Sequence, residues 1–167
     1  MMNSQKQLLA EYDSICVWFK NSLVGFTDEE TNQRLNKNMN HAKYIAGHLL
    51  NAQYAFAMIG GVTIERKWDE LFAGRGKTKA LDDFPYPSIE EIKNEWEQLN
   101  LKVRENLNAL TEDDLNKEIP DSPLSQSKVF DTTVGDFWAF INIHQVYHIG
   151  QIGILRRGFG KEPMKYR

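Results

Sequence analysis

The sequence predicts an all-α fold, a four-helix bundle with one long crossover connection. Three observations lead there. Four segments repeat apolar residues at steps of three and four, the spacing of one helix face, and none carries a sustained strand-like alternation. Capping signals and glycines bracket these segments where helices start and stop. The links between them are about 13, 28 and 22 residues long, whereas links in a plain up-down bundle run to about 2–8. The middle link, Gly60 to Pro87, is long enough to travel the length of a helix.

The first segment runs from about Gln5 to Leu23, with Leu8, Tyr12, Ile15, Cys16, Phe19 and Leu23 on one face and Gly25 beyond its end. Cys16 lies on that stripe and reads as a packing residue. The run TDEETNQRLNKN that follows reads as a solvated connector. The second segment, about Asn40 to Ile59, carries Ile45, Leu49, Ala52, Phe56 and Ile59, and stops at Gly60-Gly61. Gly47 sits inside it, where glycine is unfavourable, and hints at a close neighbour. The third begins at Ser88, with Glu91 three residues on in capping-box spacing, and carries Ile89, Ile92, Trp96, Leu99, Val103 and Leu107. Thr111 to Leu115 reads as a short capped turn. The fourth, Thr133 to Arg157, opens with Thr133 and Asp136 and places Phe137, Ile141, His144, His148, Ile152 and Leu155 on one face. Arg156 and Arg157 fall in its last turn, where cations suit the helix dipole, and Gly158 and Gly160 close it.

A chain of 167 residues reads as one domain, residues 1–167, and buries enough surface for a core without disulfides. Its 41% apolar and 26% charged residues place it among ordinary globular proteins. A net charge of -3 with no basic stripe argues against nucleic acid. Its one cysteine forbids an intrachain disulfide and fits a reducing compartment. The N-terminal MMNSQKQLLAEYDS is polar and unlike a secretory signal, and no apolar run is long enough to cross a membrane, so the expected location is the cytoplasm. The loop cations Arg75, Lys77 and Lys79 lack phosphate-loop spacing and read either as a receiver of an anionic substrate or thiol cofactor or, in preference, as plain surface.

Chemistry concentrates in the histidines. His144 and His148 are four residues apart, so their rings stand one above the other, roughly 6 Å apart, on the inward face of the fourth helix. Two imidazoles hold an ion poorly, and a catalytic site of the zinc type takes three protein ligands. His48, at the edge of the second helix's stripe, can complete such a site if the two helices pack together. Hydrogen-bonded core histidines remain the alternative at this point. Gln145 stands where the H-E-x-x-H proteases carry their general base, so that chemistry is excluded. His41 lies seven residues before His48, about 10 Å up the same face, and reads either as an acid-base group at the pocket mouth or, in preference, as a solvated residue near the helix start. Gln151 reads as an orienter of a ligand imidazole or a bridge between helices. Gly150 reads as a point of close helix approach, and Tyr44 and Tyr147 as packing residues beside the site.

GHLLNAQ in the second helix and HQVYHIGQIGILRRGFGK in the fourth together resemble the DinB-like superfamily, which includes YfiT-type metal-dependent hydrolases. That family's pattern is a His-Leu pair in the second helix and H-x-x-x-H-x-G-Q in the fourth. Here these are His48-Leu49 and His144, His148, Gly150 and Gln151. The Pro87-Ser88 start of the third helix and the Gly160-Lys161 tail are also similar, so the likeness spans essentially the whole chain. It implies a crossed-over bundle, often dimeric, with one divalent ion (zinc, nickel or iron) on His48, His144 and His148. Relatives include bacillithiol transferases and mycothiol-dependent maleylpyruvate isomerases. The resemblance therefore implies a thiol S-transferase or a hydrolase acting on a small molecule, with a low-molecular-weight thiol as partner. The alternative is a stress-related bundle with a non-catalytic metal, acting through a homodimer built on aromatic residues such as Trp18 and Trp96.

Overall fold

The computed structural model describes residues 3–59, 61–72, 79–121 and 125–167. Four long helices dominate it: α1 (Ser4–Leu23), α3 (Ala42–Ile59), α5 (Ile89–Ala109) and α7 (Val134–Gly158). Single-turn helices α2 (Asp28–Thr31), α4 (Asp69–Phe72) and α6 (Glu112–Leu115) lie in their connections. Among the described residues there is no strand, only an isolated antiparallel bridge between Glu118 and Thr133.

The helices start where their cap chemistry directs. The Ser88 hydroxyl accepts from the Glu91 backbone N–H while the Glu91 carboxylate accepts from that of Ser88. Thr133 and Asp136 repeat the exchange at α7, and Thr111 and Asp114 at α6. A fourth such box, Thr27 with Glu30, folds α2 inside the run expected to be a solvated connector. That expectation is corrected, because Thr31 is buried and Asp28 ties the connector to two other elements. Its carboxylate pairs with Lys43 Nζ at 2.8 Å and accepts from the Ile89 backbone N–H at 2.7 Å. Lys43, only 2% exposed, is a buried ammonium held by that partner.

Packing places α1 beside α5 and α7, and α3 beside the same two, so α1 and α3 lie on one diagonal. Contacts fix the directions. Gln5 at the start of α1 donates to the carbonyls of Leu107 and Asn108 at the end of α5, so those helices are antiparallel. Asn142 donates to Leu8 O and Arg156 to Ser22 O, so α1 and α7 are parallel. His41 meets Tyr86 ahead of α5, and Gln53 meets Asn100 further along it, so α3 and α5 are parallel. The link from α3 to α5 therefore returns along the bundle, which is the crossover the link length predicts.

The core is drawn from the predicted stripes, including Tyr12, Phe19, Leu49, Phe56, Trp96, Leu99, Phe137, Ile141 and Ile152. Each long helix adds a polar group to its centre. Tyr12 Oη donates to Asn100 Oδ1 at 2.5 Å, Gln53 Nε2 donates to both Tyr12 Oη and Asn100 Oδ1, and Gln145 Nε2 reaches Gln53 Oε1 at 3.4 Å. Arg156 turns inward to the carbonyls of Ser22, Val24 and Glu162, so it closes the end of α1 rather than serving its own helix dipole.

Candidate metal centre

Antiparallel packing of α3 on α7 brings His48 against both histidines of α7. Ring centroids are 5.4 Å apart for His48 and His144, 4.7 Å for His48 and His148, and 4.6 Å for His144 and His148. One ring nitrogen from each can be chosen so that all three lie within 4.8 Å of one another, and all three residues are half-buried. Metal–nitrogen bonds of about 2.0–2.1 Å place tetrahedral ligand nitrogens about 3.4 Å apart, so a small ring rotation closes the trio on an ion.

Charge and hydrogen bonding prepare these rings as ligands. Burial, with the neighbouring histidines, lowers His48 from the ordinary 6.5 to about 4 and His144 to about 3. Burial also lowers His148, against an opposing hydrogen bond to Gln151. Neutral imidazole is the ligating form, and these rings are neutral at pH 7. His148 Nδ1 lies 2.8 Å from Gln151 Oε1, so the carbonyl oxygen fixes the proton on Nδ1 and leaves Nε2 with its lone pair. The Phe72 backbone, in the crossover link, opposes that fall at His48. His144 Nδ1 is buried with no hydrogen-bond partner among the described residues. A trio with one oriented member and one unsatisfied nitrogen fits a divalent ion better than it fits a self-contained core. Phe56 and Phe140 flank His144 at 5.9 and 5.8 Å, and Tyr147 flanks His148 at 5.1 Å.

Other residues singled out in the sequence separate from the trio. His41 is not solvated: it is 1% exposed, packed on Tyr86, and its Nδ1 accepts from the Tyr44 backbone N–H at 3.0 Å. It thus caps α3, and the chain before α3 folds over it, which a helical wheel does not foresee. Tyr44 is a packing residue, buried against Phe72 and Tyr86, whereas Tyr147 is 64% exposed at the rim. Gly150 is not a point of close approach, because a Cβ there meets open space; Gly47 is, against Phe72. Gln151 meets the His148 ring rather than bridging helices, and Gln145 belongs to the central polar group. Lys79 is exposed, and Arg75, Lys77 and Gly60 lie outside the described residues. Cys16 is partly buried against the core, which pushes its thiol up to about 12 and leaves it unreactive at neutral pH. Phe72, whose ring rests on α3 at Gly47, is a neighbour the sequence did not reveal, because its place is set by the long link.

His41 gives a pH test that is independent of any metal. Burial, with Arg34 nearby, lowers it to about 4. Its contribution to stability is fully present above the unfolded value of about 6.5 and is lost as pH falls from there toward about 4. His41→Asn keeps a capping acceptor without the titration. In denaturant titrations of metal-free protein from pH 7 to 4, the variant should show a stability slope shallower by about 1.4 kcal/mol per pH unit.

Comparison with known proteins bears on the family and the fold. The family model described as the DinB superfamily matches residues 19–152. A crystal structure described as the conserved protein of a locus from Enterococcus faecalis superposes with a TM-score of 0.69, covering 96% of this chain and 100% of that one at 15% identity. That likeness is one of fold. No curated protein matches the sequence.

Proposed function

The chain belongs to the DinB superfamily, and on that premise we propose that it binds one divalent metal ion through His48, His144 and His148 and uses it as a thiol S-transferase or a hydrolase. The observation that carries this reading is the convergence of three neutral imidazoles, their ligand atoms within 4.8 Å of one another, at a half-buried point between two helices. An ion held by three uncharged ligands keeps its full charge and an open position, which lowers the proton affinity of a water or thiol there. Zinc, nickel and iron all suit this donor set.

The chain's own residues supply orientation and shelter. Gln151 Oε1 holds the His148 ring by one nitrogen and leaves the other to ligate. Phe56 and Phe140 exclude water beside His144, and the exposed Tyr147 phenol stands at the rim where a small substrate enters. A low-molecular-weight thiol partner fits the reducing cytoplasm expected from the lone cysteine. A second reading, a non-catalytic metal protein acting as a homodimer, draws support from Ile143, Tyr147 and Ile154, exposed along the outer side of α7.

Protein purified without chelator should carry about one divalent ion per chain. It should conjugate small thiols to electrophiles, or hydrolyse activated esters, and lose that activity when stripped of metal. Metal-free protein with no affinity for zinc, nickel or iron overturns the reading. Bound metal with no activity on thiols or esters, in a protein that sediments as a dimer, favours the second.

A further inference from the structure

We propose that the substrate of the metal centre carries an uncharged aromatic ring, and that Phe140 is the surface on which that ring rests. The inference depends on the metal reading above and names the class of molecule that the same site takes.

The surface lies one turn from the trio, toward the start of α7. Residues four apart share a helix face, so the position next to His144 on that face of α7 is Phe140, and the position next to His48 on α3 is Ala52. Antiparallel packing sets both positions on the same side of the trio. Phe56, one turn beyond Ala52, meets the rings of His144 at 5.9 Å, Phe140 at 6.4 Å and Phe137 at 5.5 Å. The phenylalanines differ in what they leave open. Phe56 and Phe137 are buried, so they form the backing. Phe140 is only partly buried, and its ring lies 5.8 Å from that of His144, tilted by 40°. Phe130, from the link before α7, stacks on Phe140 at 5.3 Å with planes 28° apart, and is itself braced on Phe137 at 5.4 Å. Phe140 is thereby fixed against a partner ring beside the trio, while the alanine across from it fills little space.

Charge favours the same class of molecule. Beyond Lys43, α3 carries no charged residue, and α7 carries none between Asp136 and Arg156. The helices that form the trio therefore give a carboxylate or phosphate no countercharge beside the ion. Arg66 and Lys67, in the crossover link, are already paired with Asp69 and Glu95. An aromatic ring, by contrast, is buried on contact, and an offset or edge-on arrangement on Phe140 adds roughly 2–12-fold in affinity beyond the buried area.

The test uses zinc-loaded protein and three thiols that share a metal-binding group and differ in the tail: 2-phenylethanethiol, butanethiol and 3-mercaptopropionate. Isothermal titration calorimetry should show 2-phenylethanethiol binding roughly 10-fold more tightly than butanethiol, with 3-mercaptopropionate the weakest. Phe140→Leu keeps an apolar side chain without the ring, and should bring 2-phenylethanethiol to within about 2-fold of butanethiol. NMR of the wild-type complex, which needs no variant, should show NOEs between the ring protons of the probe and those of Phe140. Preference for 3-mercaptopropionate overturns the proposal and assigns the site to an anionic substrate met by the loop cations. An aromatic preference that Phe140→Leu leaves intact, or NOEs that avoid Phe140, also overturns it, because the ring then rests elsewhere. Zinc-loaded protein that binds all three thiols alike, or none of them, overturns the substrate class and leaves the ion in place. Protein with no affinity for zinc overturns the metal reading itself, and the substrate class falls with it.

Discussion

His148→Ala should abolish measurable binding of zinc or nickel, a loss on the order of 100-fold or more in affinity, because two imidazoles remain where three converge. Of the three histidines, His148 ties the cluster together most directly, with its ring centroid within 4.7 Å of both others. Gln151→Leu should give a graded effect, about 10–100-fold, since it removes only the oxygen that fixes the His148 proton on Nδ1. Chelator competition on all three proteins checks the order wild type, Gln151→Leu, His148→Ala. Thermal unfolding of the same samples reads a second property. A metal that organises the fold costs the His148→Ala protein much of its stability, because binding energy is then folding energy. An ion held for catalysis leaves the metal-free bundle folded. The central core supports the second outcome, since Tyr12, Trp96, Phe137 and Ile152 are buried without reference to the trio. Wild-type metal content in purified His148→Ala contradicts the ligand assignment.

Trp96→Ala should destabilise the protein by about 3–5 kcal/mol, the largest single-residue effect expected in the core. Trp96 is fully buried and stacks on Phe19 across the α1–α5 contact, with centroids 4.0 Å apart and planes 20° from parallel. Its indole N–H has no partner among the described residues, so packing and not hydrogen bonding carries the cost. Trp96→Phe should therefore recover most of the loss by keeping a ring against Phe19. Urea titrations should show a lowered midpoint with an unchanged slope, the signature of lost stability without a changed unfolded state. The shift should be the same at low and high protein concentration, because this tryptophan packs inside one chain. Trp18, the other aromatic considered for an interface, is half-buried under the C-terminal tail, where its indole donates to Tyr166 O and its ring meets the Tyr166 ring edge-on.

Reading the chain alone recovered the long helices to within a residue or two, and the stripes that became the core, because both are local. Ser88 and Glu91 sit at the start of α5 as expected, and Ile89, Ile92, Trp96, Leu99, Val103 and Leu107 are all buried. It missed what depends on distant chain. Lys43 and Asp28 each look like surface charges until the fold sets them 2.8 Å apart. Gln53, Asn100 and Gln145 are unremarkable polar residues until four helices bring them to one centre around Tyr12. The central glutamine is instructive, since its place beside His144 invites a catalytic comparison and its side chain points into the core.

The sequence by itself determined the helices, their inward faces, the need for a crossover and the identity of His48, His144 and His148 as candidates. The crossover follows from the length of the links, and the rest from spacing within one segment, where 3.6 residues per turn fixes which side chains share a face. Only the tertiary structure decided that His48 meets the other two, that Gln151 serves His148, that His41 is buried as a cap, and that Phe72 rests on Gly47. Those are distances across connections of many residues, and they are set by how four helices cross and by where the long link lies along α3. Local periodicity carries no record of either.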